Sequence, residues 1–299
     1  MRNVSKLLWP AMILSLAVCA GAALTVSCPG PNTGLVSGTG SNNPVPIEMV
    51  YVPGGSFQMG DAGYDYSSPV HTVTLTGFYI GKYEVTQAQY QAVMGSNPAS
   101  GYGVGNNYPV YYVSWYDAVV FCNKLSIQEG LTPAYRINSS TDPSVWGTVP
   151  TSSNSTWNAA EVVSGSTGYR LPTEAQWEYA AKGGNGSPGN YTYSGSNNVG
   201  DVAWYVGNSS NKTHEVGTKA ANGLGIYDMS GNVWEWCWDW YGSYSSTAQT
   251  DPVGASSGSN RVSRGGYWGD SAGYVRSARR YNSNPNYRDG DVGFRLVRP

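Results

Sequence analysis

The side chains best equipped for catalysis are few and scattered. Beyond residue 30 there are two cysteines, Cys122 and Cys237, and two histidines, His71 and His214. Histidine supplies many metal ligands and general bases, and two of them far apart in sequence argue against both a histidine-built metal centre and a hydrolytic triad. Gly183-Gly184-Asn185-Gly186 lacks the lysine and the strand-to-helix setting of a phosphate loop. What is concentrated is arginine: eight of the eleven fall in 261–299, a stretch with no Lys, Glu, Gln or Met. Those four types fill 27 of the preceding 260 residues, so about four would be expected here. Between 267 and 291, 13 of 25 residues are Tyr, Ser, Gly or Asn. Binding loops use this mixture of rigid amphipathic rings and small hydrogen-bonding groups. A guanidinium fork also suits sulfate or phosphate. Asp270, Asp289 and Asp291 share the stretch, however, and the whole chain carries a net charge of -2, so nucleic acid is not the expected partner. Arginines clamping loop carbonyls account for the same sequence.

Presenting such a surface falls to the rest of the chain. The stretches 47–60 and 71–83 alternate apolar and polar residues around Gly54-Gly55 and Gly77, as strands with bends do. Thr86 with Gln89 and Thr173 with Gln176 form capping boxes, predicting helices that stop at Gly95 and at Gly183-Gly184. Ser114 opens another helix, ending at Gly130, in which Trp115, Ala118, Cys122 and Leu125 share one face; Cys122 is therefore expected to be a packed thiol. Residues 138–168, rich in Ser, Thr and Asn, predict a long surface loop or a ragged strand pair. The strongest strand is 231–240, where Trp234, Trp236, Trp238 and Trp240 point one way and Glu235, Cys237 and Asp239 the other. Few helices, many short strands and 39 glycines define an irregular, loop-dominated α+β domain over 47–299.

Ahead of that domain, Arg2 and Lys6 precede an apolar run over 7–26, the layout of an export signal. Leu24-Thr25-Val26-Ser27-Cys28 resembles a bacterial lipobox. Residues 1–27 are thus expected to be a lipoprotein signal peptide and Cys28 the lipidated residue. Residues 28–46, mostly Gly, Pro, Ser and Asn, read as a flexible tether. The expected location is the outer membrane or cell surface, with the lipid as the membrane contact. Only Cys122 and Cys237 then remain in the domain, too few for a disulfide scaffold.

An ordered series of blocks carries a resemblance: Val52-Pro53-Gly54-Gly55-Ser56-Phe57-Gln58-Met59-Gly60, Arg170-Leu171-Pro172-Thr173-Glu174-Ala175-Gln176-Trp177-Glu178, Gly231-Asn232-Val233-Trp234-Glu235-Trp236, Arg264-Gly265-Gly266 and Gly293-Phe294-Arg295. Together they resemble the formylglycine-generating-enzyme (sulfatase-modifying factor) family. The resemblance implies a C-type lectin fold, a two-stranded sheet framework embedded in loops. Those enzymes oxidise a substrate cysteine with a copper-binding cysteine pair after the Arg-Gly-Gly block, where thiolates suit Cu(I). Here Asp270 and Ala272-Gly273 stand near that place and no cysteine does, so no enzymatic activity is expected. Asn232 and Glu235 resemble positions that help to hold a structural calcium, the one cofactor the resemblance allows. Hydrogen bonds from this pair to loop backbone would leave the same sequence.

The C-terminal stretch is further similar to the variable region of diversity-generating retroelement proteins. In that class asparagine codons scatter to codons that cannot encode Lys, Glu, Gln, Met or Trp, which matches the missing types and makes Trp268 a fixed position. By this resemblance the variable region spans about 261–297. The diversified, ligand-binding positions are Tyr267, Gly269, Asp270, Ser271, Gly273, Tyr274, Tyr281, Asn282, Ser283, Asn284, Asn286, Tyr287, Asp289, Gly290 and Asp291. Arg264, Gly265, Gly266, Arg276, Ser277, Ala278, Arg280, Arg288, Gly293, Phe294 and Arg295 are scaffold. The expected function is a surface-displayed lipoprotein that binds a protein or glycan ligand through this face. The alternatives are a fixed-specificity envelope structural module of the same fold and, more remotely, a formylglycine-generating oxidase.

Overall fold

The computed structural model describes residues 46–186 and 190–299. The expected signal peptide, Cys28 and the tether up to residue 45 lie outside the described residues.

Strands β1 (Met49–Val52) and β2 (Gly55–Met59) flank the bend at Gly54-Gly55, and β3 (His71–Leu75) and β4 (Phe78–Gly81) flank the bend at Gly77. Each strand pairs antiparallel with the one its bend brings opposite, β1 with β4 and β2 with β3. The last strand, β12 (Val297–Arg298), takes the other edge of β4, so the two ends of the domain meet on one strand.

All three expected helices form where their caps place them. Helix α1 (Gln87–Met94) has the Thr86/Gln89 box and a left-handed Gly95. Helix α2 (Trp115–Gln128) starts at Ser114, which exchanges bonds with Asp117, and buries Trp115, Ala118, Cys122 and Leu125. The third, α4 (Glu174–Ala181), carries the Thr173/Gln176 box. Two further helices of one turn each, α3 (Ser155–Asn158) and α5 (Val199–Val202), are too short to leave a periodic signal.

The wall of the molecule is β7 (Trp234–Trp240), flanked by β9 (Arg261–Arg264) antiparallel and β11 (Val292–Gly293) parallel, with β10 (Arg280–Ser283) beyond β9. It is buried on both faces. Trp234 and Trp236 join the core around α2, while Cys237 joins the core around α4. Trp115 and Trp236 donate their indole N–H groups to Cys237 O and Val113 O at 3.0 and 2.9 Å, so the rings are both packed and satisfied.

Two expectations need correction. The framework is not two-stranded: there are sheets of three, four and three strands, the last joining β8 (Gln249–Thr250) to β3, plus a β5 (Tyr135–Arg136)–β6 (Glu161–Val162) pair. Nor is 138–168 purely a surface segment. Trp146 and Trp157 enter the main core at 5% and 4% exposure, with rings 5.9 Å apart edge to face. Their Ser- and Thr-rich surroundings hide two large apolar anchors.

Candidate functional site

The 261–299 stretch supplies β9 to β12 and the loops between them, and burial separates its residues into two sets. Of the eleven expected scaffold positions, all but the half-buried Arg288 are buried. Of the fifteen expected ligand-binding positions, all but Gly290 are half-buried or exposed. On β10 the alternation is direct: Arg280 points inward and Tyr281 outward.

The inward set is an arginine framework. Arg264, fully buried, binds Glu174 Oε1 at 3.2 Å, Glu178 Oε2 at 2.5 Å and Ser277 O at 2.9 Å. Arg280 takes both oxygens of Glu174 at 2.6 and 2.8 Å. Arg295 clamps Glu235 through two N–H groups at 2.7 and 2.6 Å and also donates to Gly81 O. Arg276 pairs with Asp61 at 3.0 Å and Arg288 with Asp117 at 2.7 Å. Arg261 donates to Trp238 O at 2.6 Å and lies over the rings of Trp115 and Trp240. The planar fork makes such multidentate clamps possible, and lysine could not replace it here. Gly265 and Gly266 then turn the chain out of β9 with φ of 96° and 77°. A Cβ on Gly266 would come within 2.7 Å of Val275, so only glycine fits.

The outward set borders Trp234, which is itself buried. Its ring stacks on Tyr281 with centroids 5.2 Å apart, and its backbone N–H donates to Asp291 O at 2.7 Å. Burial raises the Asp270 carboxyl, and the nearby Arg279 and Trp234 offset that only in part. Arg279 itself is stacked against Tyr66 and Tyr274, 3.7 and 4.2 Å from the ring centres. Tyr287 donates towards Asp289 and Asp291 at 3.2 and 3.3 Å. Asn286 donates to Thr151 O at 3.2 Å. Trp268, the expected fixed position, donates to Gly290 O at 3.0 Å and stacks on Tyr102.

Gly290 needs reassigning. It is buried beneath the Tyr102 ring, and a Cβ there would collide with that ring, so it belongs with the support. Sequence reasoning missed the bordering residues Trp234, Tyr102 and Tyr66. All three lie far from the stretch in sequence and meet it only through tertiary pairing, which no local pattern signals.

Asn232 and Glu235 do not fit the calcium reading. Asn232 Oδ1 accepts the His214 N–H at 3.0 Å and its Nδ2 donates to Glu84 at 2.7 Å. Both oxygens of Glu235 are taken by Arg295, one of them shared with the Trp177 indole at 2.7 Å. A cation here would have to displace a guanidinium. Among the described residues, no three His, Cys, Asp or Glu side chains converge as a metal site.

Burial pushes Asp270 and Asp239 up to about 7, and Asp291 and Asp228 to about 6. In each case the folded state holds a proton more tightly than the unfolded chain, so this stabilisation is complete below about pH 4 and is lost as pH rises through 6–7. Glu178 is the opposite case. Burial alone would raise it, but Lys182 and Arg264 overcome that and hold it near 2. Its contribution is present above the usual glutamate range and lost as pH falls towards 2. The melting temperature is therefore expected to be several degrees higher at pH 5 than at pH 8, and to fall again below pH 4. Calorimetry across that range checks it; a melting temperature rising from pH 5 to pH 8 would contradict it.

Short strands closing on β4, a loop-rich body and a wall strand between two cores define a C-type-lectin-like fold of the formylglycine-generating-enzyme type. The chain belongs to the sulfatase-modifying factor enzyme 1-like domain family, which matches residues 37–299. Among solved structures it is similar to Treponema denticola variable protein 1, with a TM-score of 0.79 and 41% identity over 88% of this chain and 99% of that one. Among sequences it is 42% identical to the chaperone protein LppX of Paenibacillus barcinonensis, over 87% of this chain and 92% of the relative. It is 30% identical to the formylglycine-generating enzyme of Streptomyces coelicolor, over 92% and 96%.

Proposed function

We propose that this protein is a surface-displayed lipoprotein, anchored through Cys28, that binds a protein or glycan ligand through the outward face of 261–297. A retroelement diversifies that face to vary the specificity. The observation that carries this reading is the segregation of the two sets: positions free to change face outward, while the arginines and glycines between them are consumed by the framework. Substitutions on such a face cost little stability because they leave caps, core and buried pairs intact. The 41% identity with a protein named a variable protein supports the same reading.

A non-catalytic role is favoured by the thiols. Cys122 and Cys237 are fully buried and burial raises both pKa values, the reverse of what a reactive or metal-binding thiolate needs. The 261–299 stretch, which stands where the related enzymes carry their cysteine pair, has none. The genomic locus tests the diversification directly. A reverse transcriptase gene and a near-identical copy of the last forty or so codons, differing at adenines, are expected nearby. A locus with neither points to the fixed-specificity module.

A further inference from the structure

A cavity of about 330 Å³ lies between the start of α4, the end of β7 and the loops at 242–245 and 252–255. None of the fifteen expected ligand-binding positions lines it. On its wall is Asp239, 3% exposed, whose Oδ2 accepts the Glu174 N–H at 2.9 Å. No donor in the described structure faces Oδ1, and no cation pairs with this carboxylate. Its neighbour Glu174 is saturated by contrast, taking Arg264, two N–H groups of Arg280 and the Tyr244 hydroxyl. Asp239 Oδ1 thus has no partner among the described residues, yet it is not a sealed orphan: it keeps access to the cavity. Beside it, Trp240, Pro252 and Val253 supply an apolar wall.

A buried carboxylate without a cation or full hydrogen bonding is costly, and a ligand that supplies both recovers that cost on binding. Mixed apolar walls with one or two convergent polar groups are the usual form of a small-molecule site. The surrounding charge selects the ligand's sign. The guanidinium groups of Arg264 and Arg280 are spent on Glu174 and Glu178, so neither is free to receive an anion. Among the described residues, no three His, Cys, Asp or Glu side chains converge here to hold a metal ion. An ammonium group supplies the charge together with N–H donors for Oδ1.

We propose that this cavity binds a small organic amine, its ammonium donating to Asp239 Oδ1 and its hydrocarbon part lying against Trp240, Pro252 and Val253. The site is independent of the display face and would persist whatever residues that face carried.

The binding is coupled to pH through Asp239, which burial and the neighbouring Glu174 push up to about 7. Arg280 on β10, Arg261 on β9 and Arg170 before α4 oppose that shift, Cys237 lies on the same strand, and His71 and Tyr244 line the cavity. Ammonium binding requires the ionised carboxylate, so affinity rises from pH 6 to pH 8.

Titration of the full chain with n-butylammonium, n-pentanol and butyrate, followed by calorimetry, tests the site. Saturable binding of n-butylammonium alone is expected, at least tenfold weaker in Asp239→Asn. Equal binding by that variant, equal binding of the alcohol, or no saturable binding would overturn the proposal. Should Asp239→Asn fail to fold, the unmodified protein decides. Carbon-detected NMR should show the Asp239 carboxyl titrating at lower pH when n-butylammonium is present, and an unmoved midpoint would overturn the proposal.

Discussion

Replacing Arg264 by methionine is expected to destabilise the folded domain by about 3 kcal/mol or more, the usual cost of removing one partner from a buried ion pair. For a domain of this size that corresponds to a fall in melting temperature of roughly 6–12 °C. Arg264 is fully buried, and its removal strips Glu174 and Glu178 of a shared cation and Ser277 O of a donor. Arg280 and Lys182 still reach the two glutamates, which keeps the loss towards the lower end of the 3–5 kcal/mol range for such deletions. In contrast, Asp289→Asn, an exposed change in the same stretch, is expected to leave the melting temperature within about 1–2 °C. Thermal unfolding of both variants checks the pair. Equal effects would mean that the stretch is not divided into framework and face.

The second large effect concerns recognition. Replacing Tyr267, Tyr274, Tyr281 and Tyr287 together by serine is expected to weaken binding to host or bacterial cell surfaces by at least about 100-fold. Tyrosines at the centre of an interface commonly contribute 2 kcal/mol or more apiece when truncated, and a loss of 2.7 kcal/mol already corresponds to that factor. Tyr274 and Tyr281 are 40% and 43% exposed, so their removal leaves the core intact. Tyr281 does lose its stack on Trp234, a contact of about 0.5–1.5 kcal/mol, and Tyr267 and Tyr287 lose their packing against the main core, so a drop in stability accompanies the loss of binding. Cell-binding assays with the labelled protein read the outcome. Undiminished binding by a folded quadruple variant would place the ligand elsewhere.

What was legible in the sequence was local. The boxes at Thr86, Ser114 and Thr173 announced three helices because a cap is written in four adjacent residues. The tryptophan alternation announced β7 because a strand's period is two. Within 261–299 the buried arginines and glycines of the framework alternate with tyrosines and asparagines that are half-buried or exposed. The pairings with β4 and β7 were not legible: β11 and β12 are two residues each and join strands about 60 and 220 positions away. The same distance hid Trp234, Tyr102 and Tyr66 as the border of the face. The ion pair of Glu235 was not legible for a similar reason, because its partners Arg295 and Trp177 come from opposite directions along the chain. Gly290 was misjudged because composition alone cannot tell a glycine under a ring from one in the open.

The central claim is that 261–299 consists of a fixed framework interleaved with a varied face. Sequencing this gene across sister isolates tests it most directly. Substitutions are expected to concentrate at Tyr267, Tyr274, Tyr281, Asn284, Tyr287, Asp289 and their outward-facing neighbours, sparing Arg264, Gly266, Arg280 and Arg295. Substitutions spread evenly over 46–299, or falling on those arginines as often as on the tyrosines, would contradict it.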